Sequence, residues 1–133
     1  MACAVAIEFL RALDELLGQV RAIGGYFHEQ LDRLKTRHSC IREVRGMGLM
    51  LAVELESADT AKAVVSALLE NRIVINRTHE TVLRFLPPYI IREKHVDEVI
   101  RALDSALSSS ASKRQRPATP ARAEKPATRS RNE

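Results

Sequence analysis

The stretch IREVRGMGLMLAVEL, residues 41–55, is where the chain changes its period. Leu49, Leu51, Val53 and Leu55 alternate with Met50, Ala52 and Glu54, and a two-residue repeat places one apolar row on one face of a strand. Gly46-Met47-Gly48 just ahead allows a bulge or a close approach of two backbones. These glycines do not form a phosphate cradle. A dinucleotide fingerprint follows a strand and opens a helix, whereas here the strand comes after the glycines.

Upstream, from about residue 4 to residue 37, the period is helical. Phe9/Leu10, Leu13, Leu16/Leu17, Val20, Ile23, Phe27, Leu31 and Leu34 fall on one stripe, with Arg11, Asp14, Glu15, Arg21, Glu29, Asp32 and Arg33 largely off it. Gly24-Gly25 costs roughly 1 kcal/mol per glycine relative to alanine, which predicts a bend or close packing there. Downstream, Ser57 or Asp59 is placed to cap a helix that buries Ala61, Val64, Val65, Leu68 and Leu69, and Asn71 to stop it in a left-handed conformation. Ile73–Ile75 and Val82–Leu86 are predicted as short strands around a polar loop, the second ended by Pro87-Pro88. A last helix buries Val96, Val99, Ile100, Leu103 and Leu107, and no Ser, Thr, Asp or Asn stands just ahead of Glu93 to cap it. The order α-β-α-β-β-α predicts an α+β two-layer domain over residues 1–108, a small and mainly antiparallel sheet with helices packed against it.

The charge divides the chain in the same place. Lys and Arg number 21 against 17 Asp and Glu, for a net charge of +4 in 133 residues. Residues 109–133 hold Lys113, Arg114, Arg116, Arg122, Lys125, Arg129 and Arg131 against Glu124 and Glu133, so this segment carries +5 and the rest −1. A basic globular domain is thereby excluded. Apolar residues vanish after Leu107, and a segment of Ser, Ala, Pro, Arg and Lys buries too little surface to offset its ordering entropy. It is expected to be a disordered basic tail. Such a tail can neutralise phosphates, but it has no aromatic residue to stack on bases, so nucleic acid is not the expected partner.

Other classes fall away. No apolar run approaches the roughly 18–20 residues that span a bilayer, and the N-terminus lacks the basic flank of a secretory signal. Cys3 and Cys40 share no CxxC spacing and form no disulfide framework, so a cytoplasmic setting with reduced thiols is expected. His28, His38, His79 and His95 are scattered, and no metal site is expected. Nucleophilic catalysis by Cys40 would need a base and an orienting group that no motif supplies.

Arg84 is the most informative residue. It interrupts the apolar run Val82-Leu83-Arg84-Phe85-Leu86. On spacing alone two readings stand: a structural ion pair, the usual fate of a charge in a short strand, or a carboxylate clamp, since planar guanidinium matches a carboxylate with two parallel hydrogen bonds.

Three ordered segments carry a resemblance. Ala2-Cys3-Ala4-Val5-Ala6 resembles the end of the "NPLACAVA" segment of class III, fold-type-I pyridoxal-phosphate aminotransferases. Glu43–Met50 resembles their "EVRGxGLM" segment. Ile75-Asn76 with Thr81–Pro88 resembles their "VN…NVLRLLPP" stretch, most like the acetylornithine aminotransferases. The match covers residues 2–107. It implies the small domain that completes the C-terminus of that fold, with Arg84 binding the α-carboxylate of the amino donor and of 2-oxoglutarate. It further implies a homodimeric full-length enzyme of arginine biosynthesis acting on small amino and 2-oxo acids, with pyridoxal 5′-phosphate as cofactor. N-acetylornithine is the expected donor; succinyl-diaminopimelate, ornithine or 4-aminobutyrate would suit a near relative.

The departures shape the expectation. None of Lys35, Lys62, Lys94, Lys113 or Lys125 sits in a motif matching the family's Schiff-base lysine, and no catalytic or cofactor-binding residue is assigned. Met1 stands where the family has the leucine of "NPLACAVA", as if the reading frame began further upstream. Covalent cofactor chemistry needs that lysine, so the chain alone is expected to be inactive and to hold no cofactor. The rival expectation is a non-enzymatic interaction module whose basic tail meets nucleic acid or another acidic partner.

Overall fold

The computed structural model describes residues 2–114. Three helices, α1 (Ala2–Arg37), α2 (Ala58–Glu70) and α3 (Glu93–Arg114), accompany four strands, β1 (Ile41–Met47), β2 (Met50–Leu55), β3 (Asn76–Thr78) and β4 (Val82–Phe85). The strands form one open antiparallel sheet in the order β1-β2-β4-β3. This is the expected two-layer α+β arrangement. Its core joins Phe27, Leu31 and Leu34 of α1, Leu51, Val53 and Leu55 of β2, Leu83 and Phe85 of β4, Val64 and Leu68 of α2, and Val96, Leu103 and Leu107 of α3.

One strand more is present than the alternation predicts. β1 escapes a period-two reading because its register shifts between Ile41 and Glu43. The extra residue lets Ile41 and Val44, of opposite parity, both turn inward, so no alternation survives in the sequence. β1 and β2 close as a two-residue hairpin in which Met47 faces Met50 and Gly48 takes φ 56°. The close approach expected at the glycines is present too. A Cβ on Gly24 of α1 would stand 2.5 Å from the Gly48 carbonyl oxygen, so two backbones touch where α1 crosses the hairpin.

The second half corrects three local expectations. Ser57 does cap α2, its hydroxyl accepting from the Thr60 N–H, but Asn71 is not the left-handed residue at the far end. Asn71 has φ −86°, and Arg72 takes φ 61° instead. The Arg72 N–H bonds the Leu69 carbonyl and the Ile73 N–H bonds the Leu68 carbonyl, which closes a Schellman cap one residue later. Ile73 is thereby committed to the helix end, and the strand predicted at Ile73–Ile75 begins only at Asn76. α3 is capped after all: His95 Nδ1 accepts from the Arg92 N–H at 3.1 Å, so a side chain inside the first turn satisfies the free donor ahead of it.

α3 also outruns its expected end. Residues 109–114 continue the helix where a disordered tail was expected. Packing of Leu103 and Leu107 has already met the cost of nucleation, so each further residue adds a hydrogen bond at little entropic cost. Ser109 and Ser110 also donate their hydroxyls to the carbonyls of Ser105 and Ala106. The rest of the expected tail, residues 115–133, lies outside the described residues.

α1 and α3 are tied by polar contacts as well as by the core. The Tyr26 hydroxyl donates to Asp97 at 2.6 Å, and the Asp104 carboxylate takes a 2.5 Å contact from His38 Nε2 and an ion pair from Arg37. The His38 hydrogen bond, with that of Arg37, holds the Asp104 carboxyl below its ordinary pKa of 3.8. A lowered folded-state pKa contributes stability that is complete above 3.8 and is lost as pH falls through the folded value. Asp104→Asn is therefore expected to cost up to about 1 kcal/mol near neutrality, a figure reduced for partial exposure of the carboxylate. Urea denaturation of both proteins across pH 2–7 checks this, and a gap that widens below the carboxylate range would contradict it.

Candidate functional site

β4 positions the site by alternation. Leu83 and Phe85 are buried in the core, Phe85 meeting Phe27 edge-on at 5.4 Å between ring centroids, so Arg84 between them faces the other side of the sheet. Strand register fixes its neighbours there. Arg45, Ala52, Arg84 and Asn76 form one row across β1, β2, β4 and β3. Glu43, Glu54, Val82 and Thr78 form the next row on the same face.

The two arginines of this face differ in their surroundings. Glu43 and Glu54 are directly opposed, and Arg45 bridges them, its Nη1 donating to Glu43 at 2.7 Å and to Glu54 at 2.6 Å. The bond to Glu54, seconded by that to Glu43, raises the Arg45 pKa above its ordinary value. Arg84 has no carboxylate partner among the described residues, and its Nε is buried without a hydrogen bond. An unmet buried donor costs about 1–3 kcal/mol, more on a charged group, and a ligand that meets it recovers that energy.

Arg84 lines a groove of about 620 Å³ between the 73–76 segment, the end of β4 and α3. Phe27, Ile73, Ile75, Pro87 and Pro88 supply apolar wall, and Asn76, opposite Arg84 on β3, supplies a carboxamide. Among the described residues no aspartate or glutamate is in the lining. A guanidinium without a carboxylate partner can hold a carboxylate from solution through two parallel bonds. It cannot act as a general base or nucleophile, and no other group in the lining can either. Among the described residues no three His, Cys, Asp or Glu side chains gather to hold a metal, and no helix is long and apolar enough to cross a membrane.

Sequence reasoning isolated Arg84 but passed over Arg45, Glu54 and Asn76. Arg45 and Glu54 lie nine positions apart, and the two-residue β1–β2 hairpin brings them together as diagonal neighbours. The lysines Lys35, Lys62 and Lys94 take no part in the groove.

Residues 1–107 match the family model of the aminotransferases of class III. An acetylornithine aminotransferase of Methanocaldococcus jannaschii is 40% identical over 112 residues, 81% of this chain and 27% of that protein. An ornithine aminotransferase of Staphylococcus aureus is 39% identical over 99 residues, 73% of this chain and 24% of that protein. Among solved structures, an ornithine aminotransferase from Toxoplasma gondii superposes with a TM-score of 0.77 at 32% identity, covering 86% of this chain and 28% of that one. The chain spans about a quarter of the length of these relatives.

Proposed function

We propose a function on one premise: the chain belongs to the class-III aminotransferases. Within an enzyme of that family it forms the C-terminal small domain, and Arg84 receives the α-carboxylate of the amino donor and of the 2-oxo acid acceptor. One observation carries the reading. Arg84 has a buried, unbonded Nε and no carboxylate partner among the described residues, and its residue borders an apolar groove. A structural ion pair, the other reading of a charged residue in a short strand, would need such a partner.

The donor we assign is N-acetylornithine with 2-oxoglutarate as acceptor, supported by the acetylornithine aminotransferases among the relatives. Arg84 orients either substrate by its α-carboxylate. In the family, pyridoxal phosphate supplies the electron sink for amino transfer, and the Toxoplasma gondii relative is described with it at the active site. The groove of this chain does not fit that group. Its lining offers no lysine amine for the aldehyde and no carboxylate for the pyridine nitrogen. The chain's own part is carboxylate recognition; the cofactor site, the homodimer and the cytoplasmic setting belong to the whole enzyme in this proposal.

It follows that the purified chain forms no stable adduct with pyridoxal phosphate. Mixed with the cofactor and dialysed, it should retain no stoichiometric visible absorbance. A band that borohydride fixes to a single lysine would refute this part of the reading.

A further inference from the structure

We propose that Arg45 is a positioning residue for Arg84: by holding Glu54, it keeps a carboxylate of the same sheet face from closing on the Arg84 guanidinium. The proposal rests on the assignment of Arg84 as a carboxylate receptor and names what keeps that receptor open.

The strand register carries it. Glu54 sits opposite Val82 on β4, two residues from Arg84, and two residues from Ala52, which is paired with both Arg45 and Arg84. Glu54 is thus the diagonal neighbour of two arginines, one on either side. Diagonal positions on one face lie about 7–8 Å apart, within reach of Glu and Arg side chains. Nothing bulky stands between, since the residue beside Arg84 on β2 is Ala52. The carboxylate turns to Arg45, with a 2.6 Å contact, and Arg84 is left without one.

The reason lies in Glu43. It opposes Glu54 directly across β1 and β2, and like charges in that position repel. Arg45 bonds both carboxylates through one nitrogen, so it relieves the repulsion only while Glu54 stays turned toward β1. Removing Arg45 leaves two opposed carboxylates, and Glu54 then relaxes toward the free cation. Arg84 would become a half-buried ion pair with its own sheet and lose its affinity for a carboxylate from solution.

The test uses the full chain and 2-oxoglutarate, followed by the Nε–H resonance of Arg84 in nitrogen-15 NMR spectra. In the wild type the resonance should shift saturably with ligand. Arg45→Met should move it in the absence of ligand and raise the apparent Kd about 10-fold. Glu54→Gln in that background should restore the Kd to within about twofold, because the competing carboxylate is gone. A purely structural role for Arg45 would not be rescued by removing Glu54. Should Arg45→Met fail to fold, Arg45→Gln, which keeps a donor for Glu43, is read by the same criteria. Wild-type affinity in the folded Arg45 variant, or no rescue in the double variant, overturns the proposal while leaving the Arg84 assignment standing. Undiminished binding in Arg84→Ala, or no saturable shift in the wild type, overturns that assignment and this proposal with it.

Discussion

Replacing Arg84 by alanine should lower kcat/KM by roughly 30- to several-thousand-fold in an active enzyme that carries this domain. A suitable carrier is a chimaera in which residues 2–107 replace the matching segment of the Methanocaldococcus jannaschii acetylornithine aminotransferase, 40% identical over this region. Truncating one partner of a desolvated charge pair costs on the order of 2–5 kcal/mol, which sets the range. Arg84→Lys keeps the charge and loses the fork that matches a carboxylate, so it should fall between wild type and alanine. Both half-reactions should suffer, since donor and acceptor each present an α-carboxylate. Cofactor absorbance should be unchanged, because the groove around Arg84 offers the cofactor no ligand. Single-turnover measurement of each half-reaction decides the matter. Normal kcat/KM for both substrates in Arg84→Ala would show an arginine that serves the fold alone.

Two adjacent glycines should respond with opposite signs. A Cβ on Gly24 would lie 2.5 Å from the carbonyl oxygen, 2.6 Å from the carbonyl carbon and 2.9 Å from the Cα of Gly48. All three are backbone atoms of the β1–β2 hairpin, which cannot rotate away as a side chain would. Gly24→Ala should therefore push α1 off the hairpin and cost about 2–4 kcal/mol, in the upper range for overpacking. In a domain of this size that lowers Tm by roughly 10–25 °C. A Cβ on Gly25 meets nothing within 4 Å, so Gly25→Ala should stabilise the helix by up to about 1 kcal/mol. Thermal melts followed by circular dichroism compare the two. Equal effects would mean that the contact between Gly24 and Gly48 yields more readily than backbone can.

Gly24 and Gly25 also show how far a linear reading goes. Both carry the same cost in propensity, but Gly24 falls on the apolar stripe, four residues after Val20 and three before Phe27, whereas Gly25 lies off it. What the period does not show is the hairpin two dozen residues later, whose turn brings its backbone against Gly24 and not Gly25. Corrections elsewhere have the same origin. Arg72 rather than Asn71 turns left-handed because the α2 cap closes through Ile73, and α3 runs past Ser109 because its packed turns carry the following residues with them.

Local chemistry determined the elements whose side chains repeat regularly: the stripe of α1, the alternation of β2, a cap at Ser57 or Asp59, the run around Arg84. Each depends on neighbours within a few residues, and period alone sorts apolar from polar there. The same order of elements identified a two-layer α+β domain before any contact was known, since a half-apolar sheet must bury one face against helices. Tertiary structure decided what depends on register. The bulge at the start of β1 hides a strand from any period-two reading, and the two-residue hairpin at Gly48-Leu49 sets Arg45 diagonal to Glu54. A one-residue slip turns every side chain of a strand to the opposite face. Pairing between strands, which no single segment encodes, therefore settles which of two arginines keeps a carboxylate and which stays open.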